Sequence, residues 1–109
     1  MQLARVRGNV VASIKAAGLA SHKLLLLEPV SAAAPQEQAD GSDASSAASD
    51  ASVYVAIDLT GAGVGEIVLV ALGSAARVDR DGQAAPTDAA VVAIVDCVQF
   101  DGQTTFQKR

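Results

Sequence analysis

Two residues of this 109-residue chain are of the types that perform nucleophilic and zinc chemistry, His22 and Cys97. A catalytic dyad or a zinc site needs such residues together with suitable partners, but the chain contains only one histidine and one cysteine. His22 begins a strand after a polar connection, which predicts an exposed side chain. Cys97 falls in an apolar stretch, which predicts a small buried thiol and not a nucleophile.

Four acidic residues have the chemistry of acid–base pairs or of ligands for hard metal ions. They are Asp58, Glu66, Asp88 and Asp96. None lies in a recognised ligand spacing, and each falls near a strand end or a turn. An acid in such a place more often accepts hydrogen bonds from backbone amides or pairs with an arginine across an interface. The arginines available for that pairing are Arg5, Arg7 and Arg77. The sequence therefore predicts no catalytic residue, no metal and no cofactor.

Residues 61–65 form a glycine-rich segment, Gly-Ala-Gly-Val-Gly. A dinucleotide site needs such glycines between a strand and a helix, because the helix N-terminus binds the phosphates. Here the segment is followed by Glu66 and the β-type run 67–72, and the spacing of the last glycine is wrong. The sequence favours a tight turn that uses positive φ angles.

The net negative charge of the chain comes from one segment. The formal net charge is −4, and residues 31–52 contain four acids but no lysine or arginine. The rest of the chain holds eight acids and eight bases, so it lacks the basic stripe of a nucleic-acid-binding protein. Residues 31–52 also lack branched aliphatic and aromatic side chains, which predicts a flexible, exposed Ala/Ser/Asp-rich loop within a single domain of residues 1–109.

The apolar runs are short, far below the roughly 20 residues that cross a bilayer. No basic start followed by an apolar stretch marks a secretory signal. The single cysteine excludes an internal disulfide, which is typical of the reducing cytosol. We expect a cytoplasmic chain with no membrane partner.

Five segments have the pattern of β-strands. Residues 4–12 and 53–59 alternate between two faces with period two. Residues 23–30 are continuously apolar, which predicts burial on both faces, and residues 66–72 and 90–98 are also strand-like. With few aromatic residues and no long helix to cover it, such a sheet does best to close on itself and remove its edges. The fold class is therefore all-β, a small five-stranded barrel.

Short turns connect these strands. Residues 79–82 predict a tight turn, and residues 86–88 suit the start of a short helical turn. Another helical turn runs to Arg77, with Ser74 in position to cap it. The tail from residue 101 is polar, with Phe106 as its one large apolar residue.

A barrel of this size raises one alternative function. Small five-stranded barrels of the OB type often bind single-stranded nucleic acid or a small ligand. Nucleic-acid binding relies on stacked aromatic rings and a basic groove, whereas this chain has only Tyr54, Phe100 and Phe106 and no basic excess. The alternative stays open but is poorly supported.

Five blocks in the chain, in order, resemble the pentameric vertex proteins of bacterial microcompartments, of the ethanolamine-utilisation and carboxysome type. Each block alone is weak, but the ordered set is specific and covers most of the chain outside residues 31–52. The segment 31–52 departs from the family by its length and its Ala/Ser content. The blocks are residues 1–13, 23–29, 58–70, 73–77 and 86–96.

The resemblance implies an OB-like barrel that assembles into a cyclic homopentamer. The ring would cap the vertices of a polyhedral shell in the cytoplasm, next to hexameric and trimeric shell proteins, and the chain would be structural and not an enzyme. Small residues allow close approach at a five-fold axis and axial pore, where we expect Gly73, Ser74, Ala75, Ala76 and Arg77. The residues expected at the subunit interface are Gly61, Gly63, Gly65, Glu66, Arg5 and Asp88.

Overall fold

The computed structural model describes residues 1–19, 21–36, 52–77, 79–80, 83–84 and 86–108. Within these ranges no helix is long and apolar enough to cross a membrane. Two 3₁₀ turns occur, at Ala17–Leu19 and Gly73–Ala76. The strands are β1 (Gln2–Val10), β2 (Lys23–Pro29), β3 (Tyr54–Asp58), β4 (Ile67–Leu72), β5 (Asp79–Arg80), β6 (Gln83–Ala84), β7 (Ala89–Ile94), β8 (Cys97–Phe100) and β9 (Gln103–Gln107).

Five of these strands close into a barrel in the order β1-β2-β3-β7-β4. All the neighbours are antiparallel except β3 and β7, which run parallel and are joined at only two positions, Ile57↔Ala90 and Asp58↔Val91. Leu59 extends this seam by donating its amide to the Val91 carbonyl at 3.2 Å. The all-β, five-stranded barrel predicted from the sequence is confirmed.

Two register shifts bend the strands so that the sheet can close. One lies in β1, where Arg7 is the extra residue between Val6 and Gly8 opposite β2. The other lies in β7, where Val92 is the extra residue opposite Leu69 and Val70 of β4. Such bulges increase local twist and curvature, which a barrel of five strands requires.

The alternating pattern of the strands separates two apolar clusters. The inner cluster fills the barrel and draws on every barrel strand. A smaller outer cluster lies where the two 3₁₀ turns meet the barrel. The inner residues are Ala4, Val6, Leu25, Leu27, Ala56, Ala62, Val68, Val70, Ala89 and Val91. The outer residues are Ile57, Ala76 and Ala90, with Leu19, Leu24 and Val92 packed against them. The burial predicted for both faces of β2 is observed, because Leu25 lies in the inner cluster and Leu24 packs against the outer one.

The fifth barrel strand is shorter than predicted. It ends at Ile94, and the chain then forms a separate hairpin of β8 and β9. The turn of this hairpin is Asp101-Gly102, with φ angles of 57° and 78°. An Asp-Gly pair between alternating residues is a strong signal for a type I′ hairpin turn, so the sequence already indicated a hairpin here and not only a polar tail.

Two of the predicted turns differ from the structure in detail. The turn at Gly73–Ala76 is present, but Leu72 takes the N-cap position and no side chain caps it, so the predicted Ser74 cap is wrong. Residues 86–88 form bends, in which the Thr87 hydroxyl accepts the Ala89 amide at 3.2 Å. The predicted turn at 79–82 overlaps β5, which covers its first two residues and pairs with β6. Residues 81–82 lie outside the described ranges.

The predicted loop 31–52 lies mostly outside the described residues, but residues 31–36 pack against the barrel. Pro35 is buried and its carbonyl accepts a hydrogen bond from Arg5 Nη2 at 2.9 Å. The Thr105 hydroxyl of β9 donates to the Ala32 carbonyl at 2.6 Å. The start of this segment is therefore held, and not exposed throughout as expected.

Candidate functional site

The loop that follows β3 is organised by one carboxylate, that of Asp58. Its Oδ1 accepts hydrogen bonds from the Thr60 amide, the Thr60 hydroxyl and the Gly61 amide at 2.9, 3.0 and 3.1 Å. Its Oδ2 accepts the Ala62 amide at 3.0 Å. Gly61 and Gly65 take φ angles of 81° and 92°, which side chains with a Cβ rarely adopt. The prediction that Asp58 bonds backbone amides is confirmed, and the loop is rigid before any partner arrives.

Glu66 fixes the other end of this loop. Its Oε1 accepts the Gly63 amide at 2.6 Å, and its Oε2 accepts Lys108 Nζ at 2.7 Å. The hydrogen bond from Lys108, followed by that from the Gly63 amide, lowers the pKa of Glu66, and the same contact raises the pKa of Lys108. The backbone of Glu66 and Gly65 also exchanges hydrogen bonds with Val6. The loop thus joins β1, β4 and the C-terminal segment.

Two of the arginines named as available partners for acids, Arg5 and Arg7, pair within the same chain. Arg7 Nη1 lies 2.9 Å from Glu28 Oε2, and Arg5 Nη1 lies 3.9 Å from Glu28 Oε1. Glu28 is only 3% exposed, so its charge needs these cations. The sequence interpretation missed Glu28, although an acid on β2 opposite the alternating arginines of β1 is the cross-strand pattern that predicts such a pair.

An open groove of about 720 Å³ lies on the outer face of β3. Its apolar lining includes Leu19, Leu24 and Val55, and Val55 is 45% exposed although it is a large aliphatic residue. Arg77 and Asp88 supply the charged groups of this lining. Two residues expected at different places, the axis and the interface, therefore lie in one groove.

The turn at Gly73–Ala76 stands beside this groove. Gly73, with φ 67°, donates its amide to the Asp88 carbonyl at 2.8 Å, and Arg77 donates its amide to the Ser74 carbonyl at 3.2 Å. Ala76 is buried in the outer cluster, whereas Ser74, Ala75 and Arg77 are exposed. The turn presents a small, exposed surface on a fixed backbone.

A second opening, of about 440 Å³, is lined by residues of all five barrel strands at one end of the barrel. Tyr54 donates its hydroxyl to Gln2 Oε1 at 2.7 Å there. Burial raises the pKa of Tyr54. Asp88 is the charged residue among the described residues that line this opening.

The two candidate nucleophilic and basic residues lie where the sequence did not predict them. His22 is buried and not exposed, because its amide bonds to the Leu19 carbonyl and the chain folds back before β2. Cys97 is exposed and not buried, because it begins the outer hairpin instead of continuing the barrel strand. Among the described residues, no three His, Cys, Asp or Glu side chains come together in a metal-binding group.

Comparison with known proteins gives full-length matches. A family model described as "Ethanolamine utilisation protein EutN/carboxysome" matches residues 1–96. The chain is 41% identical over 108 residues to the bacterial microcompartment shell vertex protein EutN of Escherichia coli K12, which covers 99% of this chain and 100% of that protein. It is 38% identical over 109 residues to the carboxysome shell vertex protein CcmL of Synechococcus elongatus, covering 100% of this chain and 97% of CcmL.

The fold is similar to that of a solved assembly subunit. The structure titled GrpN pentameric microcompartment shell protein, from Rhodospirillum rubrum, superposes with a TM-score of 0.67 at 37% sequence identity. The superposition covers 92% of this chain and 98% of that one. The likeness therefore extends over the whole barrel and is not limited to one motif.

Proposed function

The chain belongs to the EutN and CcmL family of microcompartment shell vertex proteins, and from that premise we propose that it forms a homopentamer that caps the vertices of a polyhedral bacterial microcompartment. The observation that carries this proposal is 41% identity to a shell vertex protein over 99% of the chain, on a closed barrel like that of a pentameric shell protein. The protein thus resides in a microcompartment shell within the cytoplasm.

The function follows from ring geometry. A head-to-tail interface between identical copies closes into a ring when its rotation closes. A ring of five set among six-fold tiles removes a wedge from a flat hexagonal sheet and forces it to curve. The partners of the ring are then hexameric and trimeric shell proteins, which tile the facets.

We place the expected site residues in this ring. The exposed turn that contains Gly73, Ser74, Ala75 and Ala76, followed by Arg77, lines the axial pore. The rigid loop with Gly61, Gly63, Gly65 and Glu66 contacts a neighbouring copy, together with Asp88 and Arg5. The fixed backbone of both segments supports this placement, since a preformed surface loses little conformational freedom on binding.

The role is structural, and the chain catalyses no reaction and binds no nucleic acid. The names of the relatives support this proposal, as do the internal uses of the candidate groups. The carboxylates of Asp58 and Glu66 accept hydrogen bonds from backbone amides of the same chain, and the His22 side chain is buried. No observation favours the OB-type binding barrel over the shell protein.

The domain organisation follows the same proposal. Residues 1–109 form one vertex-protein domain, in which residues 31–52 connect β2 to β3. The family match to residues 1–96, which includes this segment, supports a single domain.

Electron microscopy of shells tests the proposal. Shells assembled from the facet proteins without this chain are expected to stay open or to elongate, and adding the chain in trans is expected to restore closed polyhedra. Closed, normally sized shells in its absence would refute a vertex role. Loss of an encapsulated enzyme activity with intact shell shape would instead indicate a catalytic or cargo role.

A further inference from the structure

Two large apolar side chains of the described surface remain nearly half exposed in the single chain. One is Phe100, which is 46% exposed at the end of β8, and the other is Val55, which is 45% exposed in the groove on the outer face of β3. A solvent-exposed aromatic ring and an apolar groove each leave surface that association would bury. Phe100 of one copy and the groove around Val55 of another are candidates to cover each other's exposed apolar surface.

The hairpin holds Phe100 in a fixed place. Phe100 pairs with Gln103 across the Asp101-Gly102 turn, whose two positive φ angles match the twist of the hairpin. Further along β9, Phe106 is buried and the Thr105 hydroxyl donates to the Ala32 carbonyl. The base of the hairpin is thus anchored to the barrel, while its tip presents an aromatic ring and a carboxylate.

The hairpin and the groove lie on opposite sides of the barrel. Residues 104–108 share a cleft with Glu66 and Ile67 at the start of β4. The groove lies on β3, which β2 separates from β1 and β7 separates from β4. The hairpin of one copy therefore faces away from its own groove, which is the arrangement that a head-to-tail ring needs.

Ile14, a further exposed apolar side chain, is poorly placed for the same role. Ile14 is 94% exposed, but it belongs to the connection that leads into the turn at Ala17–Leu19. Leu19, at the end of that turn, lines the groove itself. Ile14 is therefore on the groove side of its own copy.

The charges also agree. The tip carries the Asp101 carboxylate next to Phe100, and the groove contains the Arg77 guanidinium. Arg77 makes no ion pair within the described ranges of the chain. Asp88 shares the groove, so an incoming tip is oriented with Asp101 on the side of Arg77.

We propose that in the pentamer, on whose existence this inference rests, the β8–β9 hairpin of each copy inserts Phe100 into the outer β3 groove of the next copy, with Asp101 facing Arg77. The apolar contact contributes most of the affinity, and the charge pair fixes the orientation.

Disulfide trapping tests this contact directly. In the full chain with Cys97→Ser, the pair Phe100→Cys and Val55→Cys is expected to give an oxidised ladder of up to five linked copies on a non-reducing gel. The pair Ile14→Cys and Val55→Cys is the control and is expected to give no ladder, because Ile14, although more exposed than Phe100, does not face Val55 across the proposed contact. A ladder in the control alone would overturn the proposal.

A double-mutant cycle gives an independent measure. Arg77→Met and Asp101→Asn are each expected to weaken ring assembly by about threefold, and the two together are expected to weaken it no more than either alone. Asparagine is used because it tolerates the positive φ of position 101. Single variants that assemble like wild type, with no ladder from the cysteine pair, would overturn the inference while the proposed pentamer stands. If wild type itself never forms five-subunit rings, the proposed function fails first.

Discussion

Asp58 carries more of the local structure than any other acid in the described part of the chain. One buried carboxylate satisfies three backbone amides and one hydroxyl, and so it holds a glycine-rich loop in a single conformation. That use of an acid was predictable, because acids near strand ends commonly accept backbone amides. The positions of His22 and Cys97 were not, since both depend on where the chain turns and not on the residue itself.

Replacing Asp58 by asparagine tests the role of the carboxylate. The amide nitrogen of asparagine cannot accept the Ala62 amide, so we expect a loss of about 1–3 kcal/mol in the free energy of unfolding. Asp96→Asn, at an exposed site, is the matched control and should change it by less than about 0.5 kcal/mol. Chemical denaturation at fixed protein concentration measures both, and equal effects would contradict the account.

The Glu66–Lys108 pair predicts a specific pH dependence. Because the folded pKa of Glu66 lies below its ordinary value of 4.5, the pair stabilises the fold above that pH and the benefit disappears as the pH falls through the folded pKa. Lys108→Met should therefore lower the Tm at neutral pH, with a gap from wild type that closes as the pH falls below 4.5.

The matched control for this variant is Lys23→Met, which removes the same charge at an exposed site. Its Tm difference from wild type should not depend on pH in this acid range. A gap for Lys108→Met that stays constant from neutral to acid pH would mean that the ion pair contributes nothing.

At the scale of elements, period-two alternation in two segments, apolar runs in the others and the turn residues between them predicted the five barrel strands. The sequence pattern did not predict where the last barrel strand, β7, ends. The run 90–98 is apolar except at Asp96. The contacts that divide it are distant in sequence: the Val95 amide donates to the Ile67 carbonyl, and the Lys108 amide donates to the Asp96 carbonyl. The sequence interpretation missed the β8–β9 hairpin for that reason, although the Asp101-Gly102 pair indicated its turn.

The docking of this hairpin depends on Phe106. Phe106→Ala removes its buried anchor, and we expect hydrogen-exchange protection in residues 97–107 to fall by about a hundredfold. Protection within β1, β2 and β3 should not change. Thr104→Ala, at an exposed site on the same strand, is the control, and equal loss in both variants would contradict an anchoring role.

At the scale of the whole molecule, barrel closure follows from physics available in one chain, since a small sheet without covering helices leaves exposed edges. The ring does not follow from one chain in the same way. The interface proposed for it uses Val55 and Phe100, which look like ordinary exposed residues until their positions on opposite faces are known. Only the resemblance of five ordered sequence blocks predicted the assembly from the sequence.

Native mass spectrometry of the wild-type chain at micromolar concentration is the most direct test of the central claim. Five copies of the 10.9 kDa chain should appear as one species of about 55 kDa, with no populated smaller ring. A stable 10.9 kDa monomer under the same conditions would contradict the account, because a lone barrel cannot bend a lattice of shell tiles.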